Sequence, residues 1–415
     1  MAAPKLQAPR GTFDVLPAEG LRRERLRILS ENLLGAAGYE PFETPIFEAT
    51  ELFARGVGES TDIVQKEMFT FEDQGGRSLT LRPEGTAPIA RAYVEHGMHK
   101  LPQPVKLRYW GPFFRHEAPQ AGRYRQFNQV GIEALGSDDP SLDAEAIMLL
   151  DELLRAAGAT GLRLRLSSLG TAETRREYGE ELRAYLHARE PELSEEVRSR
   201  IDANPLRAFD SDDRGTQAVM AEAPRLLDRL SDEDAQHFEQ VRALLDDAGV
   251  EYELDGTLVR GLDYYTRTVF EFTSDALGAQ SGVGGGGRYN GLVQLLGGPD
   301  TPGVGWAAGI ERILLAAGEP EAVEEETDVF VAREDGAEPT QVFRVLRELR
   351  SEGLRAQAEQ AGRSIKGQLK HADRIGARSV VIVTGGELRV RDMRSGEQRD
   401  AGDIAEAVRL VKESR

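Results

Sequence analysis

The feature that most restricts the fold is a series of strand candidates with few helices between them. Residues 68–71 and 78–82 alternate around the turn Asp73-Gln74-Gly75-Gly76; 106–110, 126–135 and 268–273 follow. Parallel strands need a crossover connection each time, so this order predicts an antiparallel sheet rather than a doubly wound parallel one. Residues 42–47 are a further strand candidate. Pro45 has no N–H to donate, which predicts that this strand lies at an edge or an interface. Leu21, Leu26, Leu29, Leu33 and Leu34 recur at helical spacing across residues 18–37, and Gly38 stops that helix.

Residues 172–249 change character. They are rich in Glu, Arg, Leu and Ala, broken at Pro191, Pro205 and Pro224, and read as an inserted helical subdomain. Residues 319–327, with Pro320 and five glutamates, read as a linker. Beyond them the order is strand (328–331), helix (339–352), strand (354–358), helix (364–375) and strand (379–383), a small α/β domain with a mixed sheet. At 415 residues the chain has room for two or three domains. The formal net charge of −19 argues against a wholly nucleic-acid-binding surface. The last 89 residues, however, hold 17 Lys and Arg against 15 Asp and Glu, so a basic face can exist there and RNA contact would be local. Cysteine is absent, which excludes disulfides and thiol chemistry and fits a cytoplasmic protein. Residues 1–10 lack an apolar core, so no secretory signal is expected, and no apolar run is long enough to span a membrane.

The stretch Leu258-Val259-Arg260-Gly261-Leu262-Asp263-Tyr264-Tyr265-Thr266 places a cation, tight backbone and paired tyrosines together. Such a mixture is poor core material and good pocket material, because a buried guanidinium needs an anion and tyrosines offer flat walls with orienting hydroxyls. Downstream, Gly282-Val283-Gly284-Gly285-Gly286-Gly287-Arg288-Tyr289 is either a flexible turn or a ligand floor where backbone approaches closely. It contains GxGxxG, as Gly303-Val304-Gly305-Trp306-Ala307-Ala308 loosely does, but the βαβ context of a dinucleotide site is missing. Phe114-Arg115-His116-Glu117 and Gly122-Arg123-Tyr124-Arg125-Gln126-Phe127-Asn128-Gln129 precede Glu133. Alternation points Phe127, Gln129, Gly131 and Glu133 to one side. An ATP and amino-acid site and a solvated, ion-paired hairpin both fit that pattern. Arg82-Pro83-Glu84-Gly85-Thr86 is either a ligand-holding turn, with Glu84 meeting an ammonium and Thr86 adding a hydroxyl, or a helix cap. Arg312 is either a phosphate contact near a helix start or a surface arginine. His96 and His99 are spaced i,i+3, but six histidines and no cysteine make a metal site a poor expectation.

Taken together, these blocks resemble the histidyl-tRNA synthetases, a class II aminoacyl-tRNA synthetase family, over nearly the whole chain. Arg10-Gly11-Thr12-Phe13-Asp14-Val15 is similar to the family's N-terminal signature, the segment through Pro45 to motif 1, residues 114–133 to motif 2 and residues 303–315 to motif 3. Residues 258–266 and 284–292 resemble the two histidine-specific blocks. Gly362-Arg363-Ser364-Ile365-Lys366 and Ala372-Asp373 resemble the anticodon-binding domain. The resemblance implies an α+β fold: a class II antiparallel β-sheet core flanked by helices (1–326), interrupted by a helical insertion (172–249), with a C-terminal α/β anticodon-binding domain (327–415). It implies ATP as substrate with Mg²⁺ and no tightly bound cofactor, L-histidine and the histidine tRNA as partners, a homodimer through motif 1, no membrane association and a cytoplasmic location. It also implies roles. Glu84, Thr86 and Gln129 would hold the α-ammonium; Glu133, Tyr264 and Tyr265 would read the imidazole. Arg115 and Arg260, the catalytic pair, would grip the carboxylate and the α-phosphate; Glu117 and Phe127 would hold adenine; Arg123 and Arg312 would meet the outer phosphates. Ala118, Asn128 and Asn290 stand where the family often has arginine, histidine and aspartate. An alternative is a catalytically silent synthetase-like regulatory subunit of histidine biosynthesis. Arg260 and the domain beyond Asp328 favour the enzyme.

Overall fold

The computed structural model describes residues 6–58, 61–120, 122–258, 262–278, 281–318 and 327–414. The chain divides into two compact units, Met1–Glu319 and Pro320–Arg415. The first begins with α1 (Pro17–Ala36), β1 (Glu40–Pro41), β2 (Phe47–Ala49), α2 (Thr50–Val57), β3 (Phe69–Glu72), β4 (Ser78–Leu81) and α3 (Thr86–Glu95). It continues with β5 (Val105–Phe114), β6 (Gln126–Leu135), α4 (Pro140–Ala156), β7 (Leu162–Ser168), α5 (Ala172–His187), α6 (Glu195–Arg198), α7 (Arg214–Ala221) and α8 (Asp232–Asp247). It closes with β8 (Glu253–Leu254), β9 (Thr266–Ser274), β10 (Gly282–Arg288), α9 (Leu292–Leu295), β11 (Gly303–Gly309) and α10 (Ile310–Ala316).

Eight strands form one sheet in the order β1-β5-β6-β11-β10-β9-β7-β8. From β5 to β7 every pairing is antiparallel, and the two-residue edge strands β1 and β8 join in parallel. The expected antiparallel core is present. One face buries Val130, Ile132, Trp306, Phe270 and Phe272 against α1, α4, α8 and α10. The other carries Tyr109, Phe113, Val269 and Tyr289 toward Ile89 and Tyr93 of α3 and toward Tyr178 and Leu182 of α5. Burial of two faces by helices removes enough apolar surface to fix the register, since a one-residue slip would exchange the faces. Residues 172–249 are helical turn by turn, but Phe238, Val241 and Leu245 of α8 join the α4 side of the main core.

One strand expectation and one turn reading need correction. Residues 42–46 are not a strand. The chain leaves the edge strand β1, donates once from Phe42 N to Arg108 O (2.8 Å), and crosses to the separate sheet β2-β4-β3. Pro45 cannot donate, and the Thr44 carbonyl is taken by the buried Arg82 guanidinium (Nη1, 2.8 Å), so no ladder forms. The glycine run is not a turn but the strand β10, paired on both sides. Its neighbours leave no room for side chains: a Cβ on Gly286 would lie 1.9 Å from Gly305 O, and one on Gly284 2.6 Å from the Ala308 Cβ.

Beside the sheet lies a dense ionic cluster. Arg288, fully buried, donates from Nε to both Asp143 oxygens (3.1 and 3.0 Å) and from Nη1 to Asp138 (3.1 Å) and Ser137 O (2.9 Å). Arg267 donates to Asp234 (3.0 Å), to Asp138 (2.6 Å) and to Glu233. Asn290 adds a bond to Asp138 (2.9 Å).

The second unit holds β12 (Val329–Arg333), α11 (Pro339–Ser351), β13 (Ala356–Ala358), α12 (Ile365–Arg374), β14 (Ser379–Val383), β15 (Leu388–Asp392), β16 (Gln398–Ala401) and α13 (Ile404–Glu413). Its mixed sheet runs β13-β12-β14-β15-β16, with α11 and α13 on one face and α12 on the other. β15, β16 and α13 lie beyond the elements expected from the sequence.

Candidate active site

A cavity of about 230 Å³ opens on the α3 face of the large sheet. Its floor follows from strand register. Gln129 and Gly131 of β6 stand opposite Gly309 and Ala307 of β11, and Ala307 stands opposite Gly285 of β10. Side chains on this face are therefore few and small, and backbone forms the base. The walls come from connections: the turn after β4, the β5–β6 hairpin, the segment before β9 and the start of α10.

One end is acidic and hydroxyl-rich. Glu84 is buried; its carboxylate accepts from the backbone N–H groups of Thr86 (2.7 Å) and Ala87 (2.9 Å), so it caps α3 and lines the cavity at once. The two readings left open by the sequence are not exclusive. Tyr264 OH donates to Glu84 Oε2 at 3.4 Å. Burial raises the Glu84 pKa, opposed by the two amides and by Arg115. Gln129 Oε1 is buried with no hydrogen-bond partner among the described residues, as is Tyr109 OH, and both residues line the cavity.

Glu133 does not reach the cavity wall. It lies behind Thr86 and Tyr289, which do, and it accepts from Thr86 Oγ1 (2.7 Å) and Tyr289 OH (2.6 Å). Alternation placed it on the correct face, but Tyr289, just after β10, reaches it across Gly303 and Gly305 of β11, which carry no side chains. Burial pushes its pKa up to about 8 despite those two donors, and Glu84 adds to the rise. Burial holds the phenols of Tyr109, Tyr264 and Tyr289 well above their ordinary value, so they stay protonated; Tyr264 and Tyr289 donate to Glu84 and Glu133.

The other end is cationic. Arg115 donates from Nε to Pro83 O (2.9 Å), lies 5.4 Å over the Phe127 ring, and is 4.0 Å from Glu117. Arg123 approaches Glu117 at 3.3 Å. Arg312 donates from Nε to Gly122 O (3.0 Å) and from Nη1 to Gly282 O. Its pKa is lowered by burial and by the neighbouring Arg123. Arg115, Glu117, Arg123, Phe127, Gln129, Glu84, Thr86, Tyr264, Tyr265 and Arg312 thus share one cavity. Arg260 lies outside the described residues. Sequence reasoning missed Tyr109, Tyr289 and Glu271 as wall residues. Tyr109 pairs across β5–β6 with Gly131, and a tyrosine facing a glycine was the available signal.

Such an arrangement offers acceptors for an ammonium at one end and cations for phosphates at the other, a few side chains apart. A family model described as histidyl-tRNA synthetase matches residues 11–313, and one described as anticodon binding domain matches 329–414. The histidine--tRNA ligase of Rubrobacter xylanophilus is 49% identical over 407 residues, covering 94% of this chain and 95% of that protein. That of Desulforamulus reducens is 47% identical over 412 residues, covering 97% and 98%. Among solved structures, apo histidyl-tRNA synthetase of S. aureus matches with a TM-score of 0.81 at 37% identity, over 99% of this chain and 100% of that one.

Proposed function

The chain belongs to the histidyl-tRNA synthetase family, and we propose that it activates histidine inside the cavity described above. It is a histidine–tRNA ligase: histidine and ATP give histidyl-adenylate and pyrophosphate, and the histidyl group then passes to the 3′ end of its tRNA with release of AMP. In the first step a carboxylate oxygen bonds to the α-phosphorus and the bond to the departing pyrophosphate breaks. Both reactants are anionic, so fixed cations and alignment supply most of the acceleration, and the ionised nucleophile needs no general base.

The residue roles follow from the two ends. Glu84, Thr86 and the unpaired Gln129 oxygen hold the α-ammonium. Tyr264 and Tyr265 wall the imidazole, and Glu133 acts on it through Thr86 and Tyr289, the donors it fixes. Arg115 and Arg260 grip the carboxylate and α-phosphate. Phe127 stacks on adenine beside Glu117, and Arg123 and Arg312 meet the outer phosphates. Mg²⁺ would accompany ATP. A hard cation takes oxygen ligands, and the Glu271 carboxylate fits, since it borders Gly282 next to Arg312 on the phosphate side. Residues 327–415 bind the anticodon, and 172–249 form the insertion. A second copy of the chain covers the small sheet, where Ile46, Phe47 and Phe71 are exposed. The enzyme works in the cytoplasm, with the translation apparatus that uses its product.

The observation that carries this reading is the acidic and the cationic end meeting in one cavity over a backbone floor. The regulatory-subunit alternative is not favoured, because the ligase relatives match across nearly the full length, C-terminal unit included. ATP–pyrophosphate exchange measured with each of the twenty amino acids tests it. Exchange is expected with histidine alone, and its absence with histidine would overturn the reading.

A further inference from the structure

Tyr264 and Tyr265 stand on a short segment whose position needs an explanation. It precedes β9 and has no strand partner until Thr266 pairs with Arg288. The carbonyls on either side of Tyr264 are held from outside the sheet. One nitrogen, Arg175 Nη1 on the first insertion helix α5, donates to Asp263 O at 3.0 Å and to Tyr265 O at 2.6 Å. Asn204, also in the insertion, approaches Asp263 Oδ1 at 3.4 Å, while Asp263 N donates to Val57 O at 3.2 Å on the opposite side.

The helix carrying Arg175 is itself tied to the start of β9. Asp234 accepts from Thr171 N (2.9 Å) and Thr174 Oγ1 (3.0 Å) at the N-terminus of α5, and from Arg267 Nε (3.0 Å). Arg267 lies two residues after Tyr265 and holds a left-handed backbone conformation, φ 46°. A side chain in that region persists only where its surroundings over-determine it. The path from Tyr265 through Arg267, Asp234, α5 and Arg175 back to Tyr265 is a closed ring of covalent and hydrogen bonds. It leaves the tyrosine pair (ring centroids 4.9 Å apart) one position beside Glu84.

We infer that Arg175 is a positioning residue for histidine recognition, through which the helical insertion sets the tyrosine wall of the amino-acid site. The inference rests on the reading that Tyr264 and Tyr265 contact histidine. It makes the insertion part of the specificity apparatus: whatever displaces α5 displaces the wall.

The test is ATP–pyrophosphate exchange by the full-length protein, with active sites titrated and melting followed in parallel. Arg175→Leu should raise the KM for histidine about tenfold, the loss expected from removing a charge-assisted pair of hydrogen bonds, and leave the KM for ATP within about twofold. Arg175→Lys should fall between wild type and Arg175→Leu, because a single nitrogen makes both bonds. A purely structural role would lower the melting temperature and the titrated fraction without moving the histidine KM, and that result would overturn the inference. If Arg175→Leu does not fold, Arg175→Lys decides: a rise confined to the histidine KM supports the inference, and no rise refutes it. Tyr264→Ala separates the two levels. If it raises the histidine KM while the Arg175 variants do not, the inference fails and the site reading stands. If it too leaves the histidine KM unmoved, the site reading fails and the inference with it.

Discussion

Two groups of polar and charged side chains lie on the large sheet, and they differ in how completely the protein satisfies them. At one end of β9 and β10, Arg288 and Arg267 spend their donors on Asp138, Asp143, Asp234 and Glu233. On the β5–β6 hairpin, Arg115 has one close backbone acceptor and a carboxylate at 4.0 Å, and the Gln129 oxygen and the Tyr109 hydroxyl have no partner among the described residues. Both groups are rich in arginine and carboxylate, so charge and burial do not separate site from scaffold. What differs is the open space beside them: the unpaired Gln129 oxygen and Tyr109 hydroxyl belong to residues that line a cavity a ligand can fill, whereas the arginine–carboxylate pairs of the cluster are closed on one another.

Removing a partner from the saturated cluster should have the largest effect. Arg288→Met leaves Asp143 buried with only His237 (3.5 Å) beside it, and should destabilise by about 3–5 kcal/mol in denaturant titration. The double variant Arg288→Met/Asp143→Leu should recover a substantial part of that loss. No loss in the single variant would break the comparison. In the cavity the pattern should invert. Arg115→Ala should cut exchange by about 10²–10³-fold, as loss of a transition-state cation does, with a melting temperature close to wild type. A large fall in melting temperature would place Arg115 with the scaffold.

The smallest effect sharpens the boundary between the two groups, at Glu133. Its carboxyl titrates at about 8 when folded, above its ordinary value, so the folded state keeps a proton that the unfolded state releases. The stability this contributes is fully present below the unfolded pKa and is lost as pH rises through about 8. Glu133→Gln cannot ionise, so its melting temperature minus that of wild type should increase between pH 5 and pH 8. A flat difference would mean that Glu133 ionises in the folded protein as it does in the unfolded chain.

Much of this was legible before any coordinates. The β5–β6 hairpin announced itself through strict alternation, which also placed Phe127, Gln129 and Glu133 on one face. The glycine run was not legible as a strand, because a residue without a side chain has no hydrophobic period; its pairing is dictated by β9 and β11. Residues 42–47 were misread because extended backbone crossing between sheets carries the same local signature as a strand. β15 shows its period only in Leu388 and Val390, which alternate with Arg389 and Arg391; two apolar positions are too few to mark a strand without the pairing to β14 and β16 that fixes it. Glu84 could not be assigned from sequence to cap or to site, since one carboxylate serves both. Tyr289 was quoted within the glycine block but not as a wall residue, because its role depends on reaching Glu133 across β11.

A Cβ on Gly305 would fall 2.0 Å from Glu133 Oε2, and one on Gly131 2.4 Å from Tyr109 OH. At Gly285, Gly305 and Gly309 the base of the cavity already has the smallest residue available, so substitution at those positions can only subtract room. Attempts to broaden the substrate range toward bulkier amino acids therefore find little material to remove from below. They must cut into the tyrosines at the sides, where trimming Tyr264 or Tyr289 also gives up a hydrogen bond.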